Sequence, residues 1–141
     1  STIQAAILLE KFDIFPLELE KRQNVANNYN KHLNQLNLGI KTPILINEVT
    51  SSWAQYTIIL PDDINRDTLQ ENLKSKNIPT AVYYPIPLNE HKPYEKYPVS
   101  HEGLSNTIYL SKNVLSLPMH PYLSESDIIL IVKSIAEAIN N

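Results

Sequence analysis

The sequence predicts an α+β domain: a small antiparallel or mixed sheet of about four short strands with helices packed on it, as an open-faced sandwich. Three observations carry this. Segments with helical apolar spacing recur along the chain, with runs rich in β-branched and aromatic residues between them. The order of these segments is α, α, β, β, α, β, loop, α, β, α. Finally, 141 residues at 43% hydrophobic and 19% charged suit one globular domain with a modest core.

The opening "TIQAAILLEKF" sets Ile3, Ala6, Ile7 and Glu10 in helical register. Pro16 suits the first turn of a second helix. In "PLELEKRQNVANNYNKHLNQL", Val25, Tyr29, Leu33 and Leu36 make one apolar stripe, and Gly39 follows as a terminator. Residues 1–38 thus read as connecting helices and 39–141 as the α+β sandwich of a single domain. "KTPILI" is a short strand with Pro43 near its start, which favours an edge. "WAQYTIIL", residues 53–60, is the better strand, with Trp53 and Tyr56 assigned to its core side. Asp62 and Asp63 after it belong to a turn.

Asn65 can cap the helix "RDTLQENLKSK", where Leu69 and Leu73 are i,i+4 partners, and Asn77 can take the left-handed conformation that ends it. "IPTAVYY" is a third extended segment, "EGLSNTIYLSKN" a helix, and "VLSLP" a fourth strand. Ser124 with Asp127 forms a capping-box-like start to the C-terminal helix.

The totals exclude several functions. A net charge of -3 with only two arginines, Arg22 and Arg66, argues against a nucleic-acid surface. The absence of cysteine excludes disulfides, thiolate nucleophiles and zinc–thiolate sites. No apolar run approaches the roughly 20 residues of a membrane span, and no signal peptide is visible, so the cytoplasm is the default location. His32, His91, His101 and His120 lack paired metal-ligand spacing: His32 reads as surface, His101 as a cap-region residue and His120 as packing in a turn with Met119. No nucleophile elbow and no glycine-rich phosphate loop occurs, so no residue is assigned as catalytic and no metal site is expected.

What stands out is "TAVYYPIPLNEHKPYEKYP", residues 80–98, with four tyrosines, four prolines and no glycine. Tyrosine offers a flat apolar face and a hydroxyl, and proline restricts the backbone so that placing them costs less entropy. The loop either recognises a ligand or folds back with its tyrosines half buried.

"TIQAAILLEKF", "EKRQNVANNYNKHL", "SSWAQYTIIL", "LKSKNIPTAVYYPIPL" and "LSKNVLSLPMHPYLSESDI" together resemble the C-terminal part of the DegT/DnrJ/EryC1/StrS family. These are pyridoxal-phosphate (PLP) sugar aminotransferases of fold type I. The resemblance runs nearly end to end and implies the small domain of a homodimeric enzyme that moves an amino group from glutamate to a keto sugar nucleotide. The lysine that forms the internal aldimine, the acid at the pyridine nitrogen and most phosphate contacts would lie in a larger N-terminal domain that binds the PLP. None of the ten lysines here has a matching context. Ser1 stands where the family usually has an acid.

By the same resemblance, the tyrosine–proline loop helps shape the sugar-nucleotide pocket, often across the dimer. Tyr83, Tyr84, Pro85 and Tyr94 take contact and orientation roles. Many members read P-L-H where this chain has Leu88 and Asn89, so the resemblance implies that the histidine's contact is either absent or replaced by Asn89 or by His91. The alternatives are a free-standing ligand-binding module using the same loop and a dimerisation domain built on the long amphipathic helix.

Overall fold

The computed structural model describes residues 1–140. Four helices surround a two-stranded sheet: α1 (Thr2–Asn34), β1 (Tyr56–Ile59), α2 (Arg66–Ser75), α3 (Ser105–Asn113), β2 (Val114–Leu117) and α4 (Glu125–Asn140). The strands are antiparallel, with Tyr56 opposite Leu117 and Ile59 opposite Val114.

The α+β class stands, but the sheet is smaller than the four strands expected. "KTPILI" and "IPTAVYY" are each reduced to a single antiparallel bridge, Lys41 to Ile59 and Ala81 to Ser116, which flank β1 and β2. Prolines account for the shortening. Pro43 follows the first bridge by two residues, while Pro79 precedes and Pro85 follows the second, and each lacks the N–H a ladder requires.

The opening also differs from expectation. One continuous helix of 33 residues, about 50 Å long, replaces two, and Pro16 lies inside it. Pro16 and its neighbours are exposed, so the Phe12 carbonyl that loses its donor sits in a solvated stretch. The helix ends at Asn34, and the chain then turns through left-handed residues at Asn37 and Gly39.

The caps follow the sequence closely. Asn65 Oδ1 accepts from the Thr68 amide at 2.9 Å, and Asn77 is left-handed at φ 59°. The Ser124 hydroxyl accepts from the Asp127 amide while the Asp127 carboxylate accepts from the Ser124 amide, a reciprocal box at the start of α4. The Ser124 hydroxyl also donates to the Asp127 carboxylate, and this bond, with that from the Ser124 amide, holds the Asp127 carboxyl below its ordinary range. Asn65→Ala should cost about 1 kcal/mol, read as a lower midpoint in urea with an unchanged slope.

The core joins the second half of α1 to both strands, α2 and α4. Tyr29 and Tyr56 are fully buried and stack at 4.7 Å. Each phenol is satisfied: Tyr29 donates to the Pro118 carbonyl at 2.9 Å and Tyr56 to Asn30 Oδ1 at 2.6 Å. Trp53 is buried as expected but lies before β1, with a left-handed backbone at φ 47°, rather than within the strand; its Nε1 donates to Gln23 Oε1 at 2.8 Å, and Arg22 donates to the Trp53 carbonyl. Leu69 and Leu73 are buried together on α2.

Burial pushes both tyrosine pKa values well above the ordinary phenol range. The folded state therefore keeps protons that the unfolded chain releases above about pH 10. Stability should be flat with respect to these groups below that pH and fall as pH rises beyond it. Absorbance at 295 nm should show Tyr29 and Tyr56 ionising only with loss of the far-UV signal.

The histidines depart from expectation. His32 is half-buried and its Nε2 lies 3.0 Å from Glu125 Oε1, where Lys31 also reaches at 3.2 Å, tying α1 to α4. His120 is exposed at the surface of the turn, and only its neighbour Met119 packs on the core. His101 is exposed in a turn before α3, whose N-cap position is Leu104.

Candidate functional site

The tyrosine–proline loop leaves the sheet at Ala81, where Val82 still touches the core. Pro87 is buried and opens a short 3₁₀ turn at Leu88–Glu90, and the His91 carbonyl then accepts from the Tyr94 amide at 2.8 Å. These turns fold the loop towards α3. Between them lies a groove of about 750 Å³. Tyr83, Tyr84, Ile86, Pro87, Leu88 and His91 form one wall, and Thr107, Leu110, Ser111 and Val114 form the other.

Of the residues singled out from sequence, Tyr83, Tyr84 and His91 line this groove together. Their neighbours Pro85, Asn89 and Tyr94 are not among its lining. Pro85 is exposed, Asn89 is half-buried within the 3₁₀ turn, and Tyr94 lies against Tyr97 with ring centres 6.4 Å apart. Tyr83 and Tyr84 meet edge to face at 6.0 Å across a cis peptide bond and are 47% and 76% exposed. Neither is folded back into the core.

The second wall was missed from sequence. It had a signal: Thr107, Leu110, Ser111 and Val114 fall at i, i+3, i+4 and i+7, one face running through α3 into β2. Ser111 is buried and its hydroxyl already donates to the Ile108 carbonyl at 2.8 Å, while its own carbonyl accepts from Arg66.

The chemistry of the lining is narrow. His91 is its only titratable group besides the two phenols, and it holds no lysine, arginine or carboxylate. Aromatic and aliphatic faces with a few hydroxyls suit the flat, uncharged parts of a ligand. They do not fit PLP, which needs a lysine amine, a carboxylate at the ring nitrogen and a phosphate cup. Among the described residues no group of three or more acidic or histidine side chains could hold a metal ion, and no helix is long and apolar enough to cross a membrane.

Over residues 1–136 the chain matches the profile of the DegT/DnrJ/EryC1/StrS aminotransferase family. It is 42% identical over 134 residues to the UDP-2-acetamido-2-deoxy-3-oxo-D-glucuronate aminotransferase of Pseudomonas aeruginosa, covering 92% of this chain and 34% of that protein. The UDP-N-acetyl-3-dehydro-alpha-D-glucosamine 3-aminotransferase of Acidithiobacillus ferrooxidans is 32% identical over 127 residues, 89% of this chain and 32% of its own length. The crystal structure of a DegT DnrJ EryC1 StrS aminotransferase from Brucella abortus superposes with a TM-score of 0.88 at 40% identity, over 99% of this chain and 36% of that one. The chain thus spans about a third of the length of these relatives.

Proposed function

Since the chain belongs to the DegT/DnrJ/EryC1/StrS aminotransferase family, we propose that it is the C-terminal small domain of a PLP-dependent nucleotide-sugar aminotransferase. The first half of α1 connects it to a larger domain, whereas the second half, expected from sequence to be part of a connector over residues 1–38, packs into the sandwich through Val25, Ala26, Tyr29 and Leu33. The reaction moves an amino group from glutamate to a keto sugar nucleotide, in a homodimer in the cytoplasm. The larger domain supplies the PLP, the aldimine lysine and the ring-nitrogen acid. The names of the Pseudomonas and Acidithiobacillus relatives point to a UDP-linked N-acetyl sugar with its ketone at C3.

The observation that carries the reading is the groove: Tyr83, Tyr84 and His91 converge in a site without a lysine or carboxylate. Such a lining positions a ligand and excludes water around it, but moves no bond by itself. Tyr83 and Tyr84 offer ring faces, His91 a hydrogen bond to a polar edge, and Leu110 and Val114 an apolar facing wall.

The test is a chimaera in which this chain replaces the matching third of the Pseudomonas relative. With PLP, glutamate and a UDP-3-keto-N-acetyl sugar it should form the amino sugar, and the isolated chain should form none. A folded, PLP-loaded chimaera that leaves the keto sugar untouched would sink the reading. A free-standing ligand-binding module, which the lack of a bond-making set also favours, predicts instead that the isolated chain binds a UDP-sugar as tightly as the chimaera does.

A further inference from the structure

α3 forms most of one wall of the groove, yet nothing apolar holds it in place. Its two buried residues, Ser111 and Asn113, are both polar, and Ile108 and Leu110 remain 37% and 39% exposed. No side chain of α3 belongs to the hydrophobic core. A helix without a buried apolar stripe gains little of the packing that fixes most helices. Its position has to come from elsewhere.

Hydrogen bonds at its C-terminal end supply it. The last carbonyls of a helix have no partner within the helix. Here two of them are met by residues 60–66, where the chain passes from β1 into α2. The Leu60 amide donates to the Asn113 carbonyl at 2.9 Å, and Arg66 Nη1 donates to the Ser111 carbonyl. Asn113 Nδ2 also donates to Asp62 Oδ1 at 3.1 Å. The Asn113 bonds sit at the root of β2, whose first residue Val114 pairs with Ile59, so they should persist without Arg66. The Arg66 side chain is only 13% exposed, and its Nε donates to Asp67 Oδ1 at 3.0 Å. Arg66 opens α2, which Leu69 and Leu73 root in the core. The guanidinium thus ties a firmly packed helix to a loosely packed one, and its charge suits the negative end of α3. Ser111, the residue it holds, lines the groove, whereas Arg66 itself does not.

We infer that Arg66 is a positioning residue: by holding the Ser111 carbonyl it sets where the α3 wall stands against Tyr83 and Tyr84, and so how closely the groove fits its ligand. What fills the groove rests on the aminotransferase reading; what holds its wall does not.

Arg66→Met keeps most of the stem and removes the donor. In the isolated chain, amides 108–113 should exchange about 10-fold faster, with the buried turns of α2 and α4 unchanged, as for local opening of one helix. In the chimaera with the Pseudomonas relative, the KM for the UDP-sugar should rise about 10-fold, with kcat within about 3-fold and the KM for glutamate within about 2-fold. A merely structural role would instead lower the folded fraction, and with it kcat, and leave KM alone. Arg66→Lys keeps a charged donor without the fork and should recover most of the loss, leaving KM up about 3-fold. An unchanged KM in Arg66→Met overturns the inference. So does faster exchange spread evenly over all the helices, which would make Arg66 a residue of general stability.

A chimaera without Arg66 substitutions that forms no amino sugar removes the aminotransferase reading, and exchange in the isolated chain then decides alone: release confined to α3 keeps Arg66 as the anchor of the wall, and no release refutes it. Amination with a KM indifferent to Arg66 does the reverse, keeping the reading and removing the positioning role. Should Arg66→Met not fold, Arg66→Lys takes its place: the rise of about 3-fold in KM supports the inference and an unchanged KM overturns it.

Discussion

Replacing Tyr83 and Tyr84 together with alanine in the chimaera is expected to raise the KM for the UDP-sugar roughly 30-fold while kcat falls less than about 3-fold. The two rings form the exposed lip of the groove and are held edge to face by each other rather than by the core. Their removal should therefore leave the fold intact and take away contact area alone. An interaction present equally in the bound substrate and in the transition state lowers KM without changing kcat, so its loss appears in KM. The KM for glutamate should stay within about 2-fold, because this lining holds no lysine or arginine to pair with a dicarboxylate. A double variant with unchanged KM for the UDP-sugar would leave the tyrosines a purely structural role.

Tyr56→Ala should have the largest effect on stability, about 3–5 kcal/mol, as expected for emptying a buried aromatic site. The ring is fully buried, stacks on Tyr29 at 4.7 Å and approaches Trp53 at 5.9 Å. Its hydroxyl also satisfies Asn30 on α1. The substitution thus opens a cavity where α1 meets β1 and leaves an amide oxygen without its donor. Against a total stability of about 5–15 kcal/mol, such a loss should leave much of the isolated chain unfolded at 37 °C. Tyr56→Phe keeps the stack and should cost only about 1 kcal/mol. Urea titrations of the two variants separate ring from hydroxyl.

Local chemistry was the most legible part of the fold. Asn65, Asn77 and the Ser124–Asp127 pair do what side-chain hydrogen bonding and left-handed backbone preferences dictate, because each acts within three residues of itself. Core positions with a clear period, such as Leu69 and Leu73 or Tyr29 and Leu33, were legible for the same reason. Pro16 was misread because a proline inside a helix is costly in general but tolerable where the freed carbonyl stays in a solvated stretch, and exposure is a tertiary fact. The outer strands were overcounted because β-branched composition shows which residues suit a sheet, whereas Pro43, Pro79 and Pro85 set how far pairing extends.

The groove was half legible. Tyr83, Tyr84 and His91 stood out by residue type within one loop. Pro85, Asn89 and Tyr94 share that loop but not that wall, since a turning backbone sends neighbours in different directions. The facing wall at Thr107, Leu110, Ser111 and Val114 comes from a segment some 20 residues later, joined to the loop only by the folded chain.

The most direct test of the central claim is amide hydrogen exchange on the chimaera with and without a saturating UDP-sugar. The account predicts slower exchange in residues 83–91 and at 107–114, with the far ends of α2 and α4 unchanged. Protection confined to the Pseudomonas-derived portion, with the groove exchanging at the same rate in both states, would contradict it.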